Sequence, residues 1–365
     1  MTALILTARF GLGHFSVANT LAEEAKEKYG CDNTRVVDFF EYAMPNRSQD
    51  IYKSYKLLVN RGSGIYNLYY KTSDRDNRKN RVPFLHYFMK ALYKLLGETR
   101  PAVVLSTLPF CSQLLSAFKE QTGSELPLIT CITDISTHIE WINPHTDLYL
   151  VASQSLKSRL VGRGVEPERI CIYGIPVKER FKCIPPRNGG AAEKHLLIMG
   201  GGMGLLPRKR QFYDQLDRLP GVKTVIITGH NTEAYSKLHG QYRNIEVVGF
   251  TGEVAKYMEW CDLIVSKPGG ITLFEAIQAA RPIVVIHPFL QQEIGNANFI
   301  INHNIGRVFW RGGPEIPQDI CSLLHDEKAI GTMRRNMVLL KSALDDTLLK
   351  DAMSSCMREQ KVRAS

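Results

Sequence analysis

The sequence predicts an α/β protein built from two doubly wound domains. Three observations support this fold class: the chain has 365 residues, 44% of them are hydrophobic, and short apolar runs alternate with helical stretches. At roughly 150 residues per domain, this length allows two domains that each bury a sizeable core. Strands that alternate with helices are typical of βαβ units and therefore of parallel sheets.

Twelve apolar runs have the length and composition of buried strands. A break rich in Pro and Gly at residues 185–190 separates six of them from the other six. We therefore predict a first domain over 1–183, a linker over 184–194, a second domain over 195–340 and a C-terminal helix over 341–365. The predicted strands are residues 4–7, 34–39, 102–106, 128–133, 148–152, 169–173, 195–199, 223–228, 245–248, 263–266, 283–286 and 306–309.

Composition excludes several protein classes. With 22% charged residues and 44% hydrophobic ones, the chain lacks the low hydrophobicity of disordered proteins. The eight cysteines are scattered without a CxxC pair, which favours reduced thiols over disulfides or zinc. No apolar run approaches the length of a membrane-spanning helix, and the N-terminus begins like a strand, without a signal peptide. We expect a cytoplasmic protein.

The surplus of basic residues is concentrated in one segment, residues 47–100. It holds 12 basic and 4 acidic residues and nine of the 33 aromatic residues. Such a mixture suits an anionic membrane surface or a nucleic acid. No RNA-binding, helix-turn-helix or zinc-finger signature accompanies it, which favours the membrane. The Asp-x-Asp at Asp74 and Asp76 follows no strand, so we interpret it as a loop.

Open α/β sheets bind ligands at the carboxyl ends of their strands. The first strand leads into a glycine turn that carries His14 where a helix begins. An imidazole there suits a general base near neutral pH, although a His at a helix start often only bonds to backbone. Asp134 ends the fourth strand at the same predicted edge. Its carboxylate can orient an imidazole or take a proton, or it can merely cap the following turn.

Glycine turns follow two strands of the second domain. Four glycines occupy residues 200–204, where backbone amides can approach a diphosphate, and no Lys-Ser/Thr pair of an ATP-binding loop follows. The turn at residues 266–276 opens a helix whose amides suit a phosphate. Within it, Thr272 and Glu275 have the spacing of a capping box, but Glu275 could equally accept the hydroxyls of a ribose. A polar run at residues 288–296 follows the next strand and could bind a sugar by hydrogen bonds.

Taken in order, these motifs resemble the family 28 glycosyltransferases. They are GxGH near residue 11, TDxxTHxxWxNP near 133, GGGMG at 200, GFT at 249, SKPGGxTxxEA at 266 and QQExGN at 291. The similarity spans roughly residues 4–310. It is greatest to the processive diacylglycerol glucosyltransferases and monogalactosyldiacylglycerol synthases, and more distant to the peptidoglycan GlcNAc transferase. The first motif departs from the family, since it reads Arg-Phe-Gly-Leu-Gly-His where Gly-Gly-Gly-His is more usual.

The resemblance implies a GT-B fold, with two Rossmann-like domains facing a cleft, a UDP-sugar donor and a lipid acceptor at an anionic membrane. His14 and Asp134 would be catalytic, and residues 47–100 would contact the membrane. Gly202 and Gly204, with Met203 between them, would approach the diphosphate, while Gly249 and Phe250 would lie along the uracil. Pro268 and Gly269 would lie near phosphate and Glu275 on the ribose, while Gln291, Gln292, Glu293 and Asn296 would lie near the sugar and diphosphate. The other expected donor-binding residues are Ser266, Gly270 and Thr272.

Together, these expectations predict an inverting hexosyltransferase that acts on the cytoplasmic face of a membrane. We expect no metal cofactor, because helix N-termini could stabilise the leaving UDP. Three alternatives stay open: transfer to a cell-wall lipid intermediate, transfer to a secondary metabolite, and an epimerase that acts on UDP-GlcNAc. A nucleic-acid-binding protein with an inactive nucleotide fold is the alternative from another class.

Overall fold

A computed structural model describes residues 2–10, 12–61, 85–135, 138–187, 190, 192–201 and 204–364. The chain forms two compact units, Met1–Pro176 with Leu344–Ser365, and Val177–Ala343. The first boundary lies ahead of the predicted residue 183. The reason is that residues 177–183 pack on the second unit, where Lys341 Nζ donates to the carbonyl of Lys182. The prediction of an α/β fold is confirmed.

The first unit is built on a parallel sheet with strand order β2-β1-β3-β4-β5-β6. All four residues of β3 and of β4 are buried, as expected for central strands covered by helices on both faces. The order reverses between β1 and β3, which makes their carboxyl ends a topological switch point. The strands are β1 (Thr2–Thr7), β2 (Asn33–Asp38), β3 (Val103–Ser106), β4 (Leu128–Cys131), β5 (Leu148–Leu150) and β6 (Ile170–Cys171).

Helices cover this sheet, and the C-terminal helix α15 belongs to the same unit. Helix α15 packs against β5, β6 and α1, and Leu349 and Met353 on it are buried. The helices are α1 (Leu12–Tyr29), α2 (Phe39–Ala43), α3 (Ser48–Arg61), α4 (Leu85–Thr99), α5 (Pro109–Thr122), α6 (Gln154–Gly162) and α15 (Thr347–Ala364). Residues 62–84 of the basic segment, with Asp74 and Asp76, lie outside the described residues.

The second unit repeats the plan, with strand order β12-β11-β10-β7-β8-β9. Every recorded strand pair is parallel, and the order reverses between β7 and β10. The switch point therefore joins the two strands that precede the glycine turns. The strands are β7 (Lys194–Met199), β8 (Val222–Ile227), β9 (Ile245–Val248), β10 (Leu263–Ser266), β11 (Ile283–Ile286) and β12 (Gly306–Phe309).

Helices again surround the sheet of the second unit. Residues 316–364 form three helices, α13, α14 and α15, of which the first two stay with this unit. The C-terminal helix predicted over 341–365 therefore begins later, at Thr347, because α14 extends to Ser342. The helices are α7 (Glu179–Lys182), α8 (Arg210–Asp217), α9 (Thr232–Leu238), α10 (Val254–Trp260), α11 (Gly270–Gln278), α12 (Gln291–Asn302), α13 (Ile316–His325) and α14 (Glu327–Ser342).

The first residues of the predicted linker contact the second unit. The guanidinium of Arg281, which is only 1% exposed, donates to the carbonyl of Pro185. Arg187 pairs with Asp262 at 2.5 Å and donates to Nδ1 of His195 at 2.7 Å. Residues 185–187 are therefore part of the second unit and do not form a free connection.

Candidate active site

The carboxyl edge of the first sheet brings three loops together at its switch point. His14 lies in the first turn of α1, Thr107 follows β3, and Thr133 follows β4. Nδ1 of His14 lies 2.7 Å from the carbonyl oxygen of Thr107 and 3.0 Å from Oγ1 of Thr133. The hydroxyl of Thr107 in turn donates to Oγ1 of Thr7 at 2.8 Å. The imidazole is thus held from two neighbouring strands.

This arrangement fixes the tautomer of His14. A carbonyl oxygen can only accept, so Nδ1 carries the proton that it donates to Thr107. In the neutral ring the lone pair then lies on Nε2, which is the atom available to take a proton from a substrate. The loop that precedes His14 is also anchored, because Phe10 packs edge-on against Phe40 and Tyr52.

Asp134 is the charged group that acts on His14. Burial lowers the pKa of His14 below its ordinary value, while the carboxylate of Asp134 and the Thr107 carbonyl oppose that shift. Burial likewise raises the pKa of Asp134, against the attraction of His14 and His138. A neutral imidazole beside a carboxylate can accept a proton and be stabilised as the imidazolium.

The glycine turn after β7 is shaped by close backbone packing. A side chain at Gly204, which has φ +62°, would overlap the carbonyl oxygen of Thr228, and one at Gly200 would overlap the backbone of Leu205. Asn231 fixes the turn further, since its Nδ2 donates to the carbonyl of Gly204 at 2.9 Å. Gly202 and Met203 lie outside the described residues.

The turn after β10 opens α11, whose N-cap is Gly269 and whose first residue is Gly270. Thr272 is therefore the third residue of the helix and Glu275 the sixth, so the capping-box interpretation of this pair was wrong. Gly269 is exposed, and the first amides of α11 follow it at the carboxyl edge of the sheet. Ser266 ends β10 with a buried hydroxyl. Free amides at a helix N-terminus suit an anion.

Glu275 lies in the second turn of α11 in a partly buried position. Burial raises its pKa to about 8, and the cations of Arg180 and Lys178 limit the rise. The carboxyl group is therefore near the point of ionisation at neutral pH. It is able to accept hydrogen bonds from ligand hydroxyls, and more strongly as the pH rises.

Helix α12 and the turn before α11 are tied to each other. Lys267 Nζ donates to Oε1 of Glu293 at 2.8 Å and lies 4.5 Å from the ring centroid of Phe289. The other oxygen of Glu293 accepts from the backbone N–H of Phe289 at 3.2 Å. Nδ2 of Asn296 donates to the carbonyl of Pro268 at 2.6 Å. Both predicted sugar-binding side chains thus also hold the loops in place.

The other predicted donor residues lie at the same edge of the second sheet. Gln291 and Gln292 are partly buried in the first turn of α12. Gly249 follows β9 beside the ring of Tyr235, and Phe250 is 63% exposed. The described residues include no group of three or more His, Cys, Asp or Glu side chains arranged to hold a metal ion.

Comparisons with known proteins match a family model to each of the two units. Residues 14–177 match the monogalactosyldiacylglycerol (MGDG) synthase family, and residues 195–311 match the glycosyltransferase family 28 C-terminal domain. A processive diacylglycerol β-glucosyltransferase of Bacillus subtilis (strain 168) is 30% identical, with 98% of each chain covered. The chain belongs to this family of glycolipid-forming glycosyltransferases. It is therefore a sugar-transferring enzyme.

A second relative of the same family comes from Staphylococcus carnosus (strain TM300), where the processive diacylglycerol β-glucosyltransferase is 30% identical over 93% of this chain and 88% of its own. Solved structures show the fold of the family. MurG of Acinetobacter baumannii has a TM-score of 0.64 at 14% identity, covering 98% of this chain and 100% of its own. SnogD of Streptomyces nogalater has a TM-score of 0.59 at 17% identity, covering 100% of this chain and 99% of its own. The predicted GT-B fold is confirmed.

Sequence reasoning placed candidate residues at the carboxyl edges of both sheets but did not single out several side chains that lie beside them. Thr107 and Lys267 were not assigned a role, although each directly follows a strand at the edge where ligands bind. Arg180, on the short helix α7, carried no sequence signal, because nothing in its neighbourhood resembles a motif.

Proposed function

We propose that this enzyme transfers a hexose, with inversion, from a UDP-sugar to a lipid acceptor such as diacylglycerol at the cytoplasmic surface of a membrane. The observation that carries the proposal is the 2.7 Å contact of His14 Nδ1 with the Thr107 carbonyl, which leaves Nε2 as a base. The curated relatives that match nearly the whole chain are diacylglycerol glucosyltransferases, which supports the lipid acceptor.

In the proposed reaction His14 acts as the general base. Nε2 takes the proton of the acceptor hydroxyl while its oxygen forms a bond to the anomeric carbon of the sugar. The bond from that carbon to the β-phosphate oxygen breaks, and its electron pair leaves with UDP. Asp134 and the Thr107 carbonyl stabilise the imidazolium that forms.

We propose that the second unit binds the donor without a metal ion. The amides at the start of α11 and the turn around Gly204 supply partial positive charge suited to the diphosphate. Glu275 lies one helical turn further on and would accept the ribose hydroxyls. Lys267 adds a full positive charge at the same turn, although its ion pair with Glu293 shares that charge.

The proposed membrane contact rests on the described ends of the basic segment. Leu57 on α3 and Tyr87 and Tyr93 on α4 are 55%, 53% and 48% exposed, so the segment presents apolar surface that a membrane could cover. Basic residues in the same segment would attract anionic headgroups. Within the described part of the chain, no helix combines the length and apolar character that a membrane crossing requires.

The proposal is tested by transfer of label from UDP-glucose, UDP-galactose and UDP-GlcNAc into chloroform-extractable product. Vesicles that mix diacylglycerol with anionic lipid supply the acceptor. We expect label in the organic phase with one donor. Water-soluble product alone would contradict the lipid acceptor and favour a cell-wall or small-molecule acceptor.

A separate measurement addresses the membrane surface. Binding to anionic vesicles and to RNA is titrated with salt for the wild-type enzyme and for a variant with Leu57, Tyr87 and Tyr93 replaced by Ser. We expect vesicle binding that weakens with salt and with the triple substitution. Tight RNA binding without vesicle binding would contradict the membrane proposal.

A further inference from the structure

Two aromatic rings lie face to face at the carboxyl edge of the second sheet. The centroids of His230 and Phe250 are 4.1 Å apart, with 16° between the ring planes. His230 follows β8 and Phe250 follows β9, and these strands are parallel neighbours that pair Ile227 with Val248. Both rings therefore leave the sheet at the edge that carries the glycine turns.

This stacked pair lies on the surface of the unit. Phe250 is 63% exposed and His230 is exposed as well. An exposed aromatic face at the ligand-binding edge of the sheet offers a surface on which a planar group can stack. The imidazole covers one face of the Phe250 ring and so restricts the orientations that this ring can take.

The backbone around His230 is anchored to the proposed diphosphate turn. Asn231, the next residue, donates to the carbonyl of Gly204 and accepts from the backbone N–H of Ala234, both at 2.9 Å. The N–H of Thr228 donates to the carbonyl of Val248 at 2.9 Å. His230 thus holds a fixed position between the glycine turn and Phe250.

We propose that His230 is a positioning residue for the nucleobase of the donor: its imidazole holds the ring of Phe250, on which the uracil stacks. This rests on the proposed UDP-sugar donor. Planar bases stack readily on aromatic side chains. The distance from a base to its diphosphate is set by the ribose, so a platform anchored to the glycine turn also selects a nucleotide over a free diphosphate.

The test is the affinity for UDP, measured by calorimetry on His230→Ala, Phe250→Ala, the double variant and His230→Phe. We expect Phe250→Ala to weaken binding about tenfold or more and His230→Ala about three- to tenfold. The double variant should bind no more weakly than Phe250→Ala alone, because His230 acts through Phe250. His230→Phe should restore binding, because a phenyl ring can stack in the same place.

The matched control is His239→Ala. His239 is exposed and stacks on Tyr235 at 4.7 Å, but it follows the end of α9, away from the glycine turn. This variant should bind UDP like the wild type, and all variants should keep the wild-type melting temperature. An unchanged affinity in His230→Ala, or additive losses in the double variant, would overturn the role of His230. A folded wild-type enzyme that does not bind UDP would instead overturn the proposed donor itself.

Discussion

Nδ1 of His14 lies 2.7 Å from the carbonyl oxygen of Thr107, a residue 93 positions later in the sequence. The contact spans the switch point of the first sheet and decides which nitrogen of the imidazole can act on a substrate. Asp134, in the loop that follows β4, raises the pKa of the imidazole and so makes that nitrogen a stronger base. The proposed chemistry depends on this pair of constraints.

Replacing Asp134 with Asn should lower the maximal kcat and shift the acid limb of the profile of kcat/KM against pH. The carboxylate raises the pKa of His14, so its removal moves the acid limb to lower pH. We expect kcat to fall about 10²-fold, because the imidazolium loses its countercharge. An unshifted limb would contradict the coupling between the two side chains.

Glu275 should make the enzyme less stable as the pH rises from 4.5 to about 8. Its pKa is about 8 in the folded protein and 4.5 ordinarily, so the folded state binds the proton more tightly. The resulting stability is complete below pH 4.5 and is lost as the pH rises through 8. The melting temperature of wild type relative to Glu275→Gln should fall across this range, with Glu233→Gln as an exposed control. A constant difference in melting temperature between wild type and Glu275→Gln from pH 4.5 to 8 would show that Glu275 does not titrate in this range.

Gly204→Ala should destabilise the enzyme more than Gly201→Ala. Both glycines have positive φ, 62° and 66°, so each substitution strains the backbone by about 1 kcal/mol. Only at Gly204 would the new methyl group also overlap the carbonyl of Thr228, which adds roughly 1–3 kcal/mol. Urea unfolding gives the comparison, and equal losses would contradict the close packing of this turn.

Lys267→Met should destabilise the second unit by about 2 kcal/mol, because it leaves the carboxylate of Glu293, a buried residue, without its cation. Adding Glu293→Gln should restore part of the loss. Lys237→Met breaks the pair with Glu233, whose side chains are 70% and 77% exposed, and should cost less than about 1 kcal/mol. Urea midpoints that do not differ between the two single variants would contradict the structural role of the Lys267 pair.

Chelation by EDTA should leave transfer largely intact, since backbone amides and Lys267 would neutralise the diphosphate. Activity with and without EDTA, followed by added Mg²⁺ or Mn²⁺, is the measurement. A complete loss that either ion restores would show that the enzyme needs a metal.

All twelve strands were predicted from the sequence, and the signal was strongest for central strands such as β3 and β4, in which every residue is buried. The boundary between the two domains was not predicted correctly. Residues 177–187 were assigned to the first domain and the linker, but Arg281 and Lys341 bind them to the second unit. These contacts join residues far apart in the sequence. The same holds for Thr107, since its backbone carbonyl contacts His14 and a carbonyl has no residue-type signature. The capping-box spacing of Thr272 and Glu275 did not locate the start of α11, because the N-cap is Gly269.

The measurement that tests the central claim most directly compares His14→Ala with wild type in transfer from a UDP-sugar to diacylglycerol and in UDP binding. The account predicts that kcat falls about 10²- to 10⁴-fold, while the affinity for UDP and the melting temperature stay unchanged. Transfer at the wild-type rate by a correctly folded His14→Ala enzyme would contradict it.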